Sequence, residues 1–157
     1  MARRRTASRC DNLSGLLLLE KPPRVTSNGA LHEAKRRVNA HKEGHTGSLD
    51  PIATGLLPLC FGSATKLSGI FLGADKTYWT RIRLGERTAT GDSEGEVLEK
   101  IPVVVSQHEI EKALLNFQAE FQQIPQMYSA VKINGTPLYQ LAREGIALKR
   151  VPRKAVC

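Results

Sequence analysis

The spacing of apolar residues along this chain changes character several times, and each change predicts an element. Gly15 to Glu20 is a continuous apolar run stopped by Lys21-Pro22-Pro23, the pattern of a short buried strand. Ser27 is a suitable N-cap for a helix running to about Asn39. Leu31, Ala34 or Lys35, and Val38 recur there at helical spacing, and Lys35, Arg36 and Arg37 crowd the other side. Periodicity is then lost in Glu43-Gly44-His45-Thr46-Gly47-Ser48-Leu49-Asp50-Pro51, which reads as a glycine-punctuated loop. Asp50 precedes a proline and is pushed towards an extended conformation. Pro51 suits the first position of a short helical turn closed by Gly55.

Leu56 to Phe61 predicts a second apolar strand, and Ser63 can cap a helix through Leu72 with Leu67, Ile70 and Phe71 inward. Thr77 to Leu84 alternates as Tyr78, Thr80, Ile82 and Leu84 against Trp79, Arg81 and Arg83, a half-buried strand pattern. Thr88 to Gly95 is a Gly and Asp loop, and Val97 to Val105 is strand-like but interrupted by Pro102. Ser106 and Glu109 form a capping-box signature ahead of Ile110, Ala113, Leu114 and Phe117. Tyr128 to Ile133 runs into the turn signal Asn134-Gly135. A brief helix follows from Pro137 to Glu144, ended by Gly145, and strand resumes from Ile146 to Val156. Strands and helices mix without strict alternation. The predicted class is α+β, with a mixed, largely antiparallel sheet flanked by helices.

At 157 residues the chain has room for one domain, read as residues 14–157 behind a basic flexible tail over residues 1–13. Its 23 Lys and Arg against 15 Asp and Glu give a net charge of +8, concentrated in Met1 to Arg9 and Lys149 to Lys154. Charge alone fits an RNA or DNA binder, and equally a basic protein with no such role. Cys10, Cys60 and Cys157 have neither zinc nor redox spacing and read as reduced thiols. The apolar run Leu16 to Leu19 is shorter than the ~7–15 residues of a signal core, and no run approaches the ~18 of a membrane span. The expectation is a cytoplasmic protein with no membrane partner.

The loop from Gly44 to Pro51 is the part of the chain richest in chemistry. Asp50 is its one carboxylate, and by itself fits a helix N-cap as well as a reactive group. His45 by itself fits a loop hydrogen-bonder, and Tyr78 a core-facing strand tyrosine. No Ser-His-Asp order, metal-ligand cluster or Walker-type loop can be assembled, and the residues by themselves go no further than a basic α+β domain with a polar, glycine-hinged loop.

Gly44-His45-Thr46-Gly47-Ser48-Leu49-Asp50-Pro51, followed by Ala53-Thr54-Gly55-Leu56-Leu57-Pro58 and Gly62-Ser63-Ala64-Thr65-Lys66, resembles the signature of the TruB family of pseudouridine synthases. Further motifs resemble the family in order: Gly15 through Lys21-Pro22 with Thr26-Ser27; Asp75-Lys76-Thr77-Tyr78 to Arg83-Leu84-Gly85; Thr88, Thr90, Asp92 and Gly95; and Gln123-Ile124-Pro125 with Tyr128-Ser129-Ala130-Val131-Lys132, Gly135, Tyr139, Ala142-Arg143 and Gly145. The resemblance covers about residues 13–153. Departures are Glu20 for the usual Asp, Arg24 for Gly, Ala89 for Asp and Gln126 for a second Pro.

The resemblance implies a cofactor-free, metal-free isomerase, acting as a monomer, that converts uridine 55 in the T stem-loop of tRNA to pseudouridine. It assigns Asp50 as the catalytic residue, Tyr78 to stacking on the flipped uracil and His45 to the RNA side of the site. Gly-His-Thr-Gly and Ala53-Thr54-Gly55 sit closer to the bacterial tRNA branch than to the guide-RNA-dependent relatives, which form the rival reading. The family pattern continues past Cys157 to a Gly-Thr-Tyr-Ile-Arg segment, whose Arg pairs with the catalytic Asp. A non-catalytic RNA-binding fragment is therefore a further expectation for residues 1–157 taken alone.

Overall fold

The computed structural model describes residues 13–118 and 120–156. Nearly all of the expected basic tail, with Cys10, lies outside the described residues. At Tyr78/Trp79 the chain divides into two compact units.

In the first unit, strand β1 (Gly15–Lys21) continues into helix α1 (Ser27–Val38), then strands β2 (Glu43–His45) and β3 (Gly55–Phe61). Their order is β1-β3-β2, antiparallel throughout. Register places Leu17 and Leu19 opposite Leu59 and Leu57. Paired residues share a face, and this one packs against Ala30, Leu31 and Ala34 of α1. Leu57 and Leu59, 1% and 0% exposed, anchor the core, each contributing about 1.5–3 kcal/mol by burial. The opposite face, with Leu16, Leu18 and Leu56, is exposed, so β1 is not the fully buried strand expected from its composition. A continuous apolar run cannot report that only one of its faces has a partner.

Helix α1 begins one residue earlier than Ser27 suggests. Thr26 is the N-cap, extended at φ −71° and ψ 153°, and its Oγ1 accepts the Gly29 N–H at 3.0 Å. Ser27 is buried and is used elsewhere. Asn39, in the left-handed region at φ 52°, closes the helix with its N–H on the Lys35 carbonyl. Lys35, Arg36 and Arg37 in the last turn suit the negative end of the helix dipole.

The segment expected to be one loop starts as strand β2, because Glu43 to His45 pairs with Phe61 to Leu59. The next rung fails at Pro58. Thr46 donates its N–H to the Pro58 carbonyl at 3.2 Å, but proline has no N–H to return. Pro51 opens a turn rather than a helix, closed by Ala53 N–H on the Asp50 carbonyl at 3.0 Å.

After β3 the chain turns at Gly62, with φ 58°, where a β-carbon would collide with the Leu13 carbonyl and Ser14 Oγ. A 3₁₀ segment follows from Gly62 to Leu67, then α2 (Ser68–Leu72). Thr65 and Ser68 hydroxyls bond carbonyls three residues back at 2.8 Å, which favours the tighter winding. Leu67, Ile70 and Phe71 are exposed, contrary to the inward face predicted for them. Residues 75–83 form no strand either. The alternation is present, but among the described residues no strand edge pairs with it, and Tyr78, Trp79 and Ile82 remain exposed.

The second unit contains three antiparallel pairs: β4 (Glu86–Thr88) with β5 (Val97–Lys100), β6 (Glu120–Gln123) with β9 (Arg153–Val156), and the hairpin of β7 (Lys132–Ile133) and β8 (Thr136–Pro137). The hairpin turn is Asn134-Gly135, both at positive φ, as predicted. Helix α3 (Gln107–Leu114) has the expected capping box, although Ile110, Leu114 and Phe117 are not buried. Helix α4 (Leu138–Arg143) ends before Gly145 at φ 76° and buries Leu138 completely. Strand from 97 to 105 and from 146 to 156 is confined to β5 and β9, the stretches that find a partner. The class is α+β and every strand pair described is antiparallel, though the strands form separate small sheets.

Candidate active site

The loop after β2 is held from beneath by the first turn of α1 and by a buried lysine. Ser27, 5% exposed, accepts the Leu49 N–H at 2.8 Å and donates its hydroxyl to the Leu49 carbonyl at 3.0 Å. Asn28 Oδ1 lies 3.1 Å from His45 Nε2 at the other end of the loop. His45 Nδ1 is enclosed and has no hydrogen-bond partner among the described residues.

Lys21 is fully buried at the end of β1. Its ammonium donates to the carbonyls of Pro22 at 2.9 Å, Val25 at 2.7 Å and Pro51 at 3.3 Å. Three carbonyl dipoles replace the water that a buried ammonium loses, and they tie the Lys-Pro-Pro turn to the residue after Asp50. Arg24 adds a second tie, its N–H reaching the Pro51 carbonyl at 2.6 Å. Sequence reasoning attached no role to Lys21 beyond motif membership, and read Ser27 only as a cap. Their partners are backbone carbonyls and amides, which leave no residue signature.

Asp50 is exposed at the end of this pinned loop. His45, intermediate in exposure, closes β2 at its start, so the fold brings these two into one short structure. Tyr78 ends the following segment and is 68% exposed. That segment touches the loop through Lys76, whose Cε would lie 3.7 Å from a β-carbon placed on Gly47. Lys76 is itself held by the carbonyls of Leu72 and Ala74, at 2.9 and 2.7 Å.

Two clefts of about 390 Å³ occur in the first unit. One is of mixed character, with Leu13, His41, Lys42 and Lys66 around Gly62, at the end of β3 remote from Asp50; the other is an apolar groove between β1 and α1. Neither is lined by Asp50. Among the described residues no group of three or more His, Cys, Asp or Glu is placed to hold a metal ion, and no helix is long and apolar enough to cross a membrane.

Residues 35–157 match the family model described as TruB family pseudouridylate synthase (N terminal domain). The chain belongs to the TruB family of pseudouridine synthases. Among curated TruB relatives, tRNA pseudouridine synthase B of Pseudomonas syringae pv. syringae (strain B728a) is 56% identical over 142 residues, covering 90% of this chain and 47% of that protein. The protein of the same name from Chromohalobacter salexigens is 54% identical over 155 residues, covering 98% of this chain and 50% of its own length. The chain thus spans about half the length of the curated TruB relatives it matches. Its fold is similar to a chain in the crystal structure of a Cbf5-Nop10-Gar1 complex, with TM-score 0.54 and 27% identity over 75% of this chain and 31% of that one.

Proposed function

We propose that the polypeptide carrying this chain converts uridine 55 in the T stem-loop of tRNA to pseudouridine, with Asp50 as the catalytic carboxylate. The observation that carries the reading is Asp50 itself, exposed at the tip of a loop tied at Leu49 and Pro51 in a TruB-family chain. Choice of tRNA follows from relatives 54–56% identical that are named tRNA pseudouridine synthase B, against 27% for the Cbf5 complex chain. The same reading makes the enzyme a cytoplasmic monomer.

The reaction breaks the N1–C1′ bond, turns the base, forms C5–C1′ and releases the proton from C5. A carboxylate serves it by attacking C1′ or C6, or by removing a sugar proton. The target base must leave its stack to reach such a group. In this reading Tyr78 stacks on the extruded uracil, and His45 lies on the RNA side of the loop.

The test is tritium release from tRNA labelled at uracil C5, using this chain in place of the matching half of the Pseudomonas syringae relative. Asp50→Asn keeps size and removes the charge. Turnover is expected to vanish with tRNA affinity nearly intact; parental turnover by the Asn variant, in a preparation free of host enzyme, would sink the assignment.

A further inference from the structure

The Asp50 loop is secured by side chains of α1 rather than by a ladder, and the securing residues are consecutive. Thr26 caps the helix, so the Ser27 hydroxyl is released from capping and turns towards Leu49. Its two hydrogen bonds fix both peptide planes that flank Leu49. The second of those planes ends at the Asp50 nitrogen. On the other side, the Pro51 ring restricts Asp50, whose carbonyl accepts the Ala53 N–H at 3.0 Å. The Pro51 carbonyl is held in turn by Lys21 and Arg24. The backbone of Asp50 is therefore bracketed, with its upstream bracket a single buried hydroxyl.

Asn28 does the same for the other end of the loop. Its side-chain oxygen faces His45 Nε2 at 3.1 Å, while the enclosed Nδ1 has no hydrogen-bond partner among the described residues.

We infer that Ser27 and Asn28 are positioning residues of the isomerisation: together they set the orientation in which the loop presents Asp50 to the RNA. The inference rests on the proposed role of Asp50. Neither residue touches the reacting atoms in this scheme; both act through the loop. A reacting group displaced by about 1 Å loses on the order of 100-fold in rate, so removing a bracket lowers the rate more than it lowers affinity. A merely structural serine or asparagine would instead lower the melting temperature and leave the rate of the folded fraction alone.

The experiment uses the same joined polypeptide, below the melting temperature of each variant. Single-turnover tritium release at saturating tRNA is measured beside a separate binding isotherm. Ser27→Ala and Asn28→Ala are each expected to lower the single-turnover rate by about 10- to 100-fold, with Kd within about twofold of the parent. Asn28→Asp, which keeps an acceptor oxygen opposite His45, is expected to restore most of the rate. Because Asn28 is exposed, that pair decides the matter even if Ser27→Ala does not fold. A parental rate in Asn28→Ala, and in Ser27→Ala where it folds, beside an inactive Asp50→Asn, overturns the inference and leaves the role of Asp50 standing. An active Asp50→Asn removes the reading beneath it.

Discussion

Arg24 has φ of 64°, a backbone conformation in which an L-residue crowds its own β-carbon. The TruB resemblance places glycine there, and the geometry supplies the reason. Glycine would relieve about 1–2 kcal/mol of strain while adding about 0.5–1 kcal/mol of unfolded-state freedom. Arg24→Gly is therefore expected to raise stability by a few tenths to about 1 kcal/mol, read as a higher denaturant midpoint at unchanged slope. Tyr78 is the opposite kind of residue, with little to lose in the fold. It is 68% exposed, so in residues 1–157 alone Tyr78→Leu should leave the melting temperature nearly unchanged. If the ring stacks on uracil, the same variant loses about 1–3 kcal/mol of base stacking, or roughly 10- to 100-fold in tritium release. A Leu variant that melts several degrees lower and a Phe variant with full activity would point to packing instead. At this scale the family motifs single out Asp50 and His45 as site candidates, and include Lys21 and Ser27 without giving them a task. Asn28 carries no signal at all, and what these three grip is backbone or a side chain distant in sequence.

Elements whose signals are local came out as the residues suggest. The capping box at Ser106 and Glu109 is complete, with Glu109 Oε2 accepting the Ser106 N–H at 2.8 Å and its hydroxyl at 2.7 Å. Those bonds hold the Glu109 carboxyl below its ordinary range. A depressed folded pKa means the unfolded state takes up the proton first as pH falls. The contribution is present above the ordinary carboxylate range and is lost as pH falls through the lowered folded value. Amide exchange in the first turn of α3 should accelerate over that acid window in the parent, and Glu109→Gln should flatten the dependence. A pH dependence unchanged in the Gln variant would show that another group is responsible. Elements whose existence depends on distant partners were misread. Residues 77–84 alternate without pairing, whereas β6, Glu-Phe-Gln-Gln with one large apolar residue, is a strand because β9 lies beside it. Period alone cannot register the presence of an edge.

Across the whole chain, a net charge of +8 would give the proposed RNA binding a sequence-independent electrostatic component. Affinity of the joined polypeptide for tRNA should therefore fall linearly with salt on logarithmic axes, by fluorescence anisotropy. A flat dependence would mean that charge contributes little to recognition. Pro58 also decides how the loop is attached to the sheet. By ending the β2–β3 ladder at Thr46, it leaves residues 46–50 as slack, a length of chain that extends at most about 17 Å. Slack held by a few side-chain tethers can be released one bond at a time, whereas a zipped strand must peel from its end. Under the proposed function an approaching RNA can thus shift Gly47 and Ser48 without unzipping β3, while Leu49 stays packed against the core.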